Sequence, residues 1–248
     1  MTKNILVIGD SCRDQYTYCH ADRLAPDKPV PVLEVHGLDM VPGMAKNVFN
    51  NLQRLKPGNK IITNSNWKEI VKNRYVDEKS NHMFFRVDSS ESPEPINLNS
   101  VLEIITEYNY VIISDYDKGF LSEEDISIIC ASHPNVFLDT KKVLGDWALD
   151  ARYIKINQHE ADRSRQWIQS VDRDIIETRG AAGAVYKNRI YPVKKKVDVL
   201  DVSGAGDAFL AGLVMKFAEE KNIHSAINFA NRCASSVVQH RGTTLIDL

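Results

Sequence analysis

The chain has 248 residues, 43% of them hydrophobic and 26% charged, enough to bury a full core as one larger domain or as a domain with a small appendage. A net charge of −2 gives no broad basic field, which argues against nucleic acid as the main ligand, and no apolar run approaches the ~18 residues of a membrane span. The apolar stretch before Gly9 is too short for a signal peptide, so a cytoplasmic protein with reduced cysteines is expected.

In chain order, Ile5 to Ile8 form a β-branched run ending in Gly9-Asp10, which reads as a buried strand. Cys19 beside His20 offers half of a metal site, but no second ligand pair stands at a useful spacing, and the bland reading of Cys12, Cys19, Cys130 and Cys233 as thiols is preferred. Ala25 to Val41 carries three prolines and then alternates apolar with polar residues, the pattern of an extended edge strand. Asn81 to Asp88 is a second strand with no helix to match it, so the two would form a small β flap. Asn59 to Lys79 and Ser89 to Asn99 show no usable period.

Ser100 to Glu107 places Val101, Leu102, Ile104 and Ile105 at helical spacing, and Glu123 to Ile129 does likewise behind Ser122, a good N-cap. Between and after them, Val111 to Ile113 ends in Ser-Asp and Val136 to Leu138 ends in Asp139. Strands alternating with helices predict a parallel α/β sheet, whose ligands lie at the carboxyl ends of the strands. Asp115 and Asp139 would border that site, unless they only cap the helices that follow. Lys194 to Lys196 reads as a solvated strand edge rather than a docking patch.

The stretch from Asp201, D-V-S-G-A-G-D-A-F-L-A-G-L, carries the chemistry. Phe209, Leu210, Leu213, Val214 and Phe217 fall on one face of a helix, so Gly204, Ala205 and Gly206 sit at its N-terminus, where free N–H groups and the dipole favour an anion. Asp207 would repel an anion that was merely bound. A carboxylate beside an anion hole suits a reaction in which a hydroxyl loses a proton while charge builds on a phosphoryl group. The alternative is an acid favoured by the dipole in a first helical turn, with glycines for close packing. A dinucleotide fingerprint would need glycine where Phe209 stands, and no G-K-[ST] is present, so nicotinamide and Walker-type sites are disfavoured.

These residues resemble the C-terminal signature of the ribokinase-like (PfkB) carbohydrate kinases. N-Q-H-E at 157 to 160 resembles their N-x-x-E element, and T-R-G-A-A-G at 178 to 183 their nucleotide loop. A closer likeness, to the heptose 7-phosphate kinase domain of bifunctional ADP-heptose synthases, lies in I-G-D-S-C-R-D-Q-Y, D-R-L-A-P-D-K-P-V-P-V-L-E-V, P-G-M-A-K-N-V and S-D-Y-D-K-G. The resemblance implies one domain over residues 1–248. Its fold would be α/β, a three-layer sandwich with a mostly parallel central sheet, and its β lid strands would lie within 12–41 and 81–88. It implies ATP and Mg²⁺, with K⁺ as a further candidate cofactor, and a homodimer formed through the lid.

By that resemblance Asp207 is the base, and the amides of Gly204, Ala205 and Gly206 form the anion hole. Asp14, Gly43 and Asn47 bind sugar hydroxyls, with Arg86 and Lys118 as candidates to meet a sugar phosphate. Asn157 and Glu160 hold Mg²⁺ through water, Thr178, Gly180 and Gly183 line the nucleotide, Asn231 lies near its base, and Asp201 supports a monovalent cation or caps a loop. Three departures stand out. Met44 replaces the second glycine of G-G-A-x-N, Arg13 and Gln15 invert the residues usually flanking Asp14, and Gln53 to Asn81 leave too little chain for the usual extra strand and helix, so the fold is expected to be shortened in the middle. The readings are therefore a heptose 7-phosphate kinase, a kinase with another acceptor chosen by Met44 and Lys46, or a sugar or nucleotide binder that has lost turnover.

Overall fold

The apolar runs build a main sheet that is buried on both faces. The structure, a computed structural model describing residues 4–89, 91–195 and 197–248, opens with β1 (Ile5–Gly9), β2 (Ser11–Leu24), β3 (Pro31–Met44) and α1 (Ala45–Leu55). There follow β4 (Lys60–Ile62), β5 (Val71–Asp77), β6 (Met83–Asp88), α2 (Leu98–Leu102), β7 (Tyr110–Asp115), α3 (Glu123–Ser132), β8 (Val136–Thr140) and β9 (Tyr153–Asn157). The chain ends with α4 (Gln158–Arg163), α5 (Arg165–Ser170), β10 (Ile175–Thr178), β11 (Ala184–Tyr186), β12 (Arg189–Tyr191), α6 (Ala205–Glu220) and α7 (Ile223–Val237). The eight-stranded sheet runs β12-β11-β10-β9-β8-β7-β1-β4, parallel from β10 to β4 and antiparallel at β11 and β12.

Period-two alternation sorts the strand residues into two cores. Ile5, Val7, Ile112 and Phe137 pack with α1, α6 and α7, whereas Leu6, Ile8, Val111, Ile113 and Leu138 pack with α2, α3 and α4. This is the expected three-layer sandwich, and burial on both faces explains why the strands are continuously apolar. Ser122 forms the expected cap, a reciprocal pair with Asp125 at 3.0 and 2.9 Å. The helix expected over Ser100 to Glu107 divides into α2, capped by Asn97, and a 3₁₀ turn at Ile105–Glu107. The lysine run follows β12 as a bend with Lys194 and Lys195 exposed; Lys196 lies outside the described residues.

The second sheet, the lid, has four strands in the order β3-β2-β5-β6 rather than two. β3, with its prolines, is one edge, as expected, and β6 is the other. The additional strand β5 comes from the stretch that showed no period. It lies between β2 and β6 and carries Lys72, Arg74 and the buried Val76 on one face. Among the described residues between α1 and α2 there are three strands and no helix, which matches the expected shortening.

Helix α6 is buried from Asp207 through Met215, more than the one apolar face that the sequence required. It crosses α7 at Gly212, where an added Cβ would lie 2.6 Å from Cys233 Sγ and 3.4 Å from Ala230 Cα. Gly212→Val should therefore lower the unfolding free energy by ~1–3 kcal/mol through overpacking, read from urea unfolding curves. An unchanged midpoint would mean that the two helices part without cost.

Candidate active site

The turn into α6 fixes the central carboxylate. Gly204 is the N-cap with φ 78°, and a Cβ there would sit 2.8 Å from Asn47 Nδ2, so backbone conformation and space both require glycine. The Ala205 N–H donates to Val202 O at 3.2 Å, so this amide closes the turn instead of joining those of Gly204 and Gly206 in the expected anion hole. Asp207 is buried in the first turn. Its Oδ1 accepts from Tyr116 Oη at 2.5 Å and its Oδ2 from Asn47 Nδ2 at 2.8 Å. Burial raises the carboxyl to about 6 against the lowering effect of those two hydrogen bonds. Burial, followed by the charge of Asp207, pushes the Tyr116 phenol well above its ordinary range, which keeps it a donor.

Beside this group, the inner face of the lid supplies Asp14. It is buried, and its Oδ1 accepts from Arg74 Nη1 at 2.6 Å. Gly43 is glycine because a Cβ would lie 2.2 Å from Asp14 Oδ2. Arg74 lies 5.2 Å from the ring centre of Tyr16, and Lys72 lies 5.1 Å from that of Tyr116. Arg74, Lys72 and Tyr116 received no role from the sequence. Tyr116 stood in the quoted S-D-Y-D-K-G, but the two cations lay in the stretch without period. Arg86 faces Arg74 across the β5–β6 pair, half-exposed, and is held by Asp88 at 2.7 and 3.0 Å. Lys118 is exposed, and its backbone N–H donates to Asp10 Oδ2 at 2.9 Å. Arg13 and Gln15, one residue either side of Asp14 in the strand, point to the opposite face of the lid. Met44 is buried at φ 60°, packed with Cys12, Ile70 and Tyr116.

At the carboxyl ends of β8 and β9 charges are paired. Asn157 and Glu160 form a reciprocal cap of α4: Asn157 Oδ1 accepts from Glu160 N at 2.9 Å, and Glu160 Oε2 from Asn157 N at 2.7 Å. Glu160 Oε1 takes both Asn157 Nδ2, at 2.7 Å, and Lys141 Nζ. Burial alone would lower Lys141, but Asp139 and Glu160 outweigh it and raise the ammonium above its usual value. Asp139 Oδ2 binds Lys155 Nζ at 2.7 Å, and its Oδ1 is buried without a hydrogen-bond partner. Asp115 is held by Lys142 at 3.1 Å and Thr140 Oγ1 at 2.5 Å. Its charge, after burial itself, raises neighbouring Asp10 to about 6.

Thr178 ends β10, and Gly180, at φ 54°, starts the loop beyond it. Gly183, at φ 89°, closes that loop where a Cβ would lie 2.1 Å from Tyr191 O, the carbonyl to which Asn231 Nδ2 donates at 2.8 Å. Asp201 acts as a loop clamp, accepting from Ser203 N at 2.8 Å and Gly242 N at 3.1 Å.

Comparison with known proteins gives consistent results. A pfkB family carbohydrate kinase model matches residues 127–247. The bifunctional protein HldE of a Nitratiruptor species is 32% identical over 298 residues, covering 100% of this chain and 64% of that protein. The bifunctional protein HldE of Helicobacter pylori is 28% identical, covering 99% and 65%. The chain thus spans somewhat less than two thirds of these relatives' length. Ribokinase from Thermotoga maritima superposes with a TM-score of 0.73 at 17% identity, covering 97% of this chain and 94% of that one. Phosphofructokinase-2 from Escherichia coli in complex with potassium gives 0.73 at 14%, covering 99% and 96%. At these identities the likeness is one of fold.

Asp207 binds its proton more tightly folded than unfolded, so its contribution to stability is present below the ordinary value of 3.8 and is lost as pH rises to about 6. Asp207→Asn removes that loss, and Tyr116 can turn its hydroxyl to accept. The variant should melt higher than the parent at pH 8, with the difference shrinking towards pH 4. A variant less stable at both pH values would show that the carboxylate stabilises the fold.

Proposed function

The chain belongs to the pfkB family of carbohydrate kinases, and we propose that it transfers the γ-phosphate of ATP to a hydroxyl of a sugar phosphate, D-glycero-D-manno-heptose 7-phosphate before others. The observation that carries this reading is the desolvated Asp207 at the N-terminus of α6, between Asn47 and Tyr116.

A carboxyl raised to about 6 is ionised at neutral pH yet more basic than an ordinary aspartate, which suits it to take the proton of an acceptor hydroxyl. As that oxygen attacks in line, charge on the transferred group falls to the amides of Gly204 and Gly206 and the dipole of α6. Lys155 adds a buried cation, 3.3 Å from where a Gly206 Cβ would be. Asp14, oriented by Arg74, accepts from sugar hydroxyls, with Gly43 and Asn47 beside it. Arg86, across from Arg74 on the same lid face, and Lys118 are the candidates to meet a phosphate at the sugar's far end. Thr178, Gly180, Gly183 and Asn231 line the nucleotide.

The donor set fits a hydrated magnesium ion. Asp139 Oδ1 is an orphaned buried acceptor, and Glu160, already engaged by Asn157 and Lys141, keeps an acceptor position for a metal-bound water. Mg²⁺, when bound with ATP, neutralises phosphate charge at that place. Potassium accompanies the phosphofructokinase-2 neighbour. In this chain Asp201 is the residue that would sit beside such an ion. A homodimer through the lid is supported by Leu38, Met40, Phe85 and Val87, exposed on one lid face by strand register. A second reading, a kinase for a different acceptor, is favoured by Met44, buried at φ 60° where the G-G-A-x-N pattern that this stretch resembles has glycine, and by Lys46, 4.6 Å from the Trp67 ring centre.

ADP release from MgATP, with the heptose phosphate, fructose 6-phosphate, ribose and fructose as acceptors, tests the assignment. Turnover should be confined to the heptose phosphate, and Asp207→Asn should reduce kcat by ~10²–10⁴-fold. ATP binding without ADP release on any acceptor would instead identify a binder, and full turnover by Asp207→Asn would remove the base. The parent enzyme's kcat/KM should rise with pH through about 6 and then level off. A flat profile from pH 5 to 8 would contradict that role.

A further inference from the structure

Strands β2 and β3 slip register at one point of the lid. Tyr18 faces Gly37 and Cys19 faces Val35, so His36 is the extra residue of a β-bulge. A bulge re-aims the side chain it inserts. Here the His36 ring stands 4.4 Å from the His20 ring, centroid to centroid, at 76°. Glu78 directly follows β5, and its N–H donates to Cys19 O at 3.1 Å, which holds it beside the same strands. Glu78 Oε2 lies 3.3 Å from His20 Nε2 and 3.3 Å from His36 Nδ1. The three donor atoms are within 4.8 Å of one another.

Atoms bonded at about 2.0–2.1 Å to a tetrahedral ion stand about 3.3–3.4 Å apart, so two edges of such a tetrahedron already have their length. The remaining nitrogen of His20, Nδ1, faces Asp77 Oδ1 at 3.6 Å. A carboxylate in that position orients an imidazole that binds metal. With side-chain exposures of 41% for His36 and 49% for Glu78, the fourth position is open to water.

We propose that His20, His36 and Glu78 form a site for a divalent transition-metal ion, zinc first, separate from the phosphoryl-transfer site. Two imidazole nitrogens and one carboxylate oxygen at tetrahedral spacing suit zinc, whereas magnesium and calcium take six or more oxygen ligands. The ion would tie together β2, β3 and the end of β5. Glu78 O also accepts from Arg241 Nη1 at 2.7 Å, next to Gly242, which the Asp201 clamp holds. The tie therefore reaches the loop that leads into α6.

The test is zinc uptake by the metal-stripped full chain at equilibrium dialysis, with excess Mg²⁺ to fill the magnesium site, followed by Co²⁺ substitution. The parent should take up one zinc per chain and give the visible absorption of tetrahedral Co²⁺. The His20→Ala/His36→Ala variant should lose both, and Asp77→Asn should weaken zinc by about 10- to 100-fold. Glu78→Gln, which preserves shape, should bind at least about tenfold more weakly, with far-UV circular dichroism showing that each variant is folded. No uptake by the parent, or equal uptake by the folded double variant, would overturn the proposal.

Discussion

A carboxylate kept out of water at the start of a buried helix is the constraint on which the other features depend. Raising Asp207 from 3.8 to about 6 costs the ionised fold about 3 kcal/mol at ~1.4 kcal/mol per pH unit. The helix that imposes this cost can bear it. Phe209, Leu210, Leu213, Val214 and Phe217 are all buried, and each contributes roughly 1.5–3 kcal/mol. Their total exceeds the penalty several-fold, so the carboxylate is carried by the core beneath it. Tyr116 and Asn47 set how far the shift goes. Without their hydrogen bonds the same burial would raise the carboxyl further, towards a group still protonated at neutral pH.

What was legible in the sequence follows from which environments leave a period. β1, β7 and β8 are buried on both faces and read as unbroken apolar runs; α6 read as a helix because its apolar residues and the glycine turn before it agree. β5 was illegible because it is central in the lid while its inner face carries Lys72 and Arg74, so neither a continuous run nor a clean alternation survives. The same strand hides the partner of Asp14. An aspartate read alone implies an acceptor for hydroxyls, but the structure gives it a fixed guanidinium on one oxygen and a glycine, Gly43, that makes room for the other. Glu78 was equally hidden, since the bulge that turns His36 towards it is a property of strand pairing and not of local sequence.

Three residues that depart from the pattern the sequence otherwise resembles have different consequences once placed. Arg13 and Gln15 lie on the outer face of the lid and leave the inner face untouched. Met44 is different, because it is a buried long side chain at φ 60°, a conformation that ordinarily belongs to glycine and costs other residues ~1–3 kcal/mol. Its packing with Cys12, Ile70 and Tyr116 offsets that strain, and through Tyr116 it braces the group that holds Asp207. The thioether is thus linked to Asp207 through one intervening side chain, Tyr116.

Met44 also marks where the lid joins the body. β2 leaves the main sheet just after Asp10 and β3 returns at Met44, with Ala45 N donating to Asp10 O at 2.9 Å, so the two crossings are bound to each other. The far end of the lid is held separately. Tyr16 Oη meets Thr243 Oγ1 at 2.9 Å, Asn81 Nδ2 donates to Leu200 O at 2.8 Å, and Arg241 donates to Glu78 O at 2.7 Å. Leu200 and Arg241 flank the Asp201–Gly242 clamp from which the turn into α6 departs. These contacts join the lid to the loop from which the turn presenting Gly204 and Gly206 departs. The strand that carries Asp14 also carries Tyr16, so the buried carboxylate of the lid and the tether to the loop after α7 stand on one element.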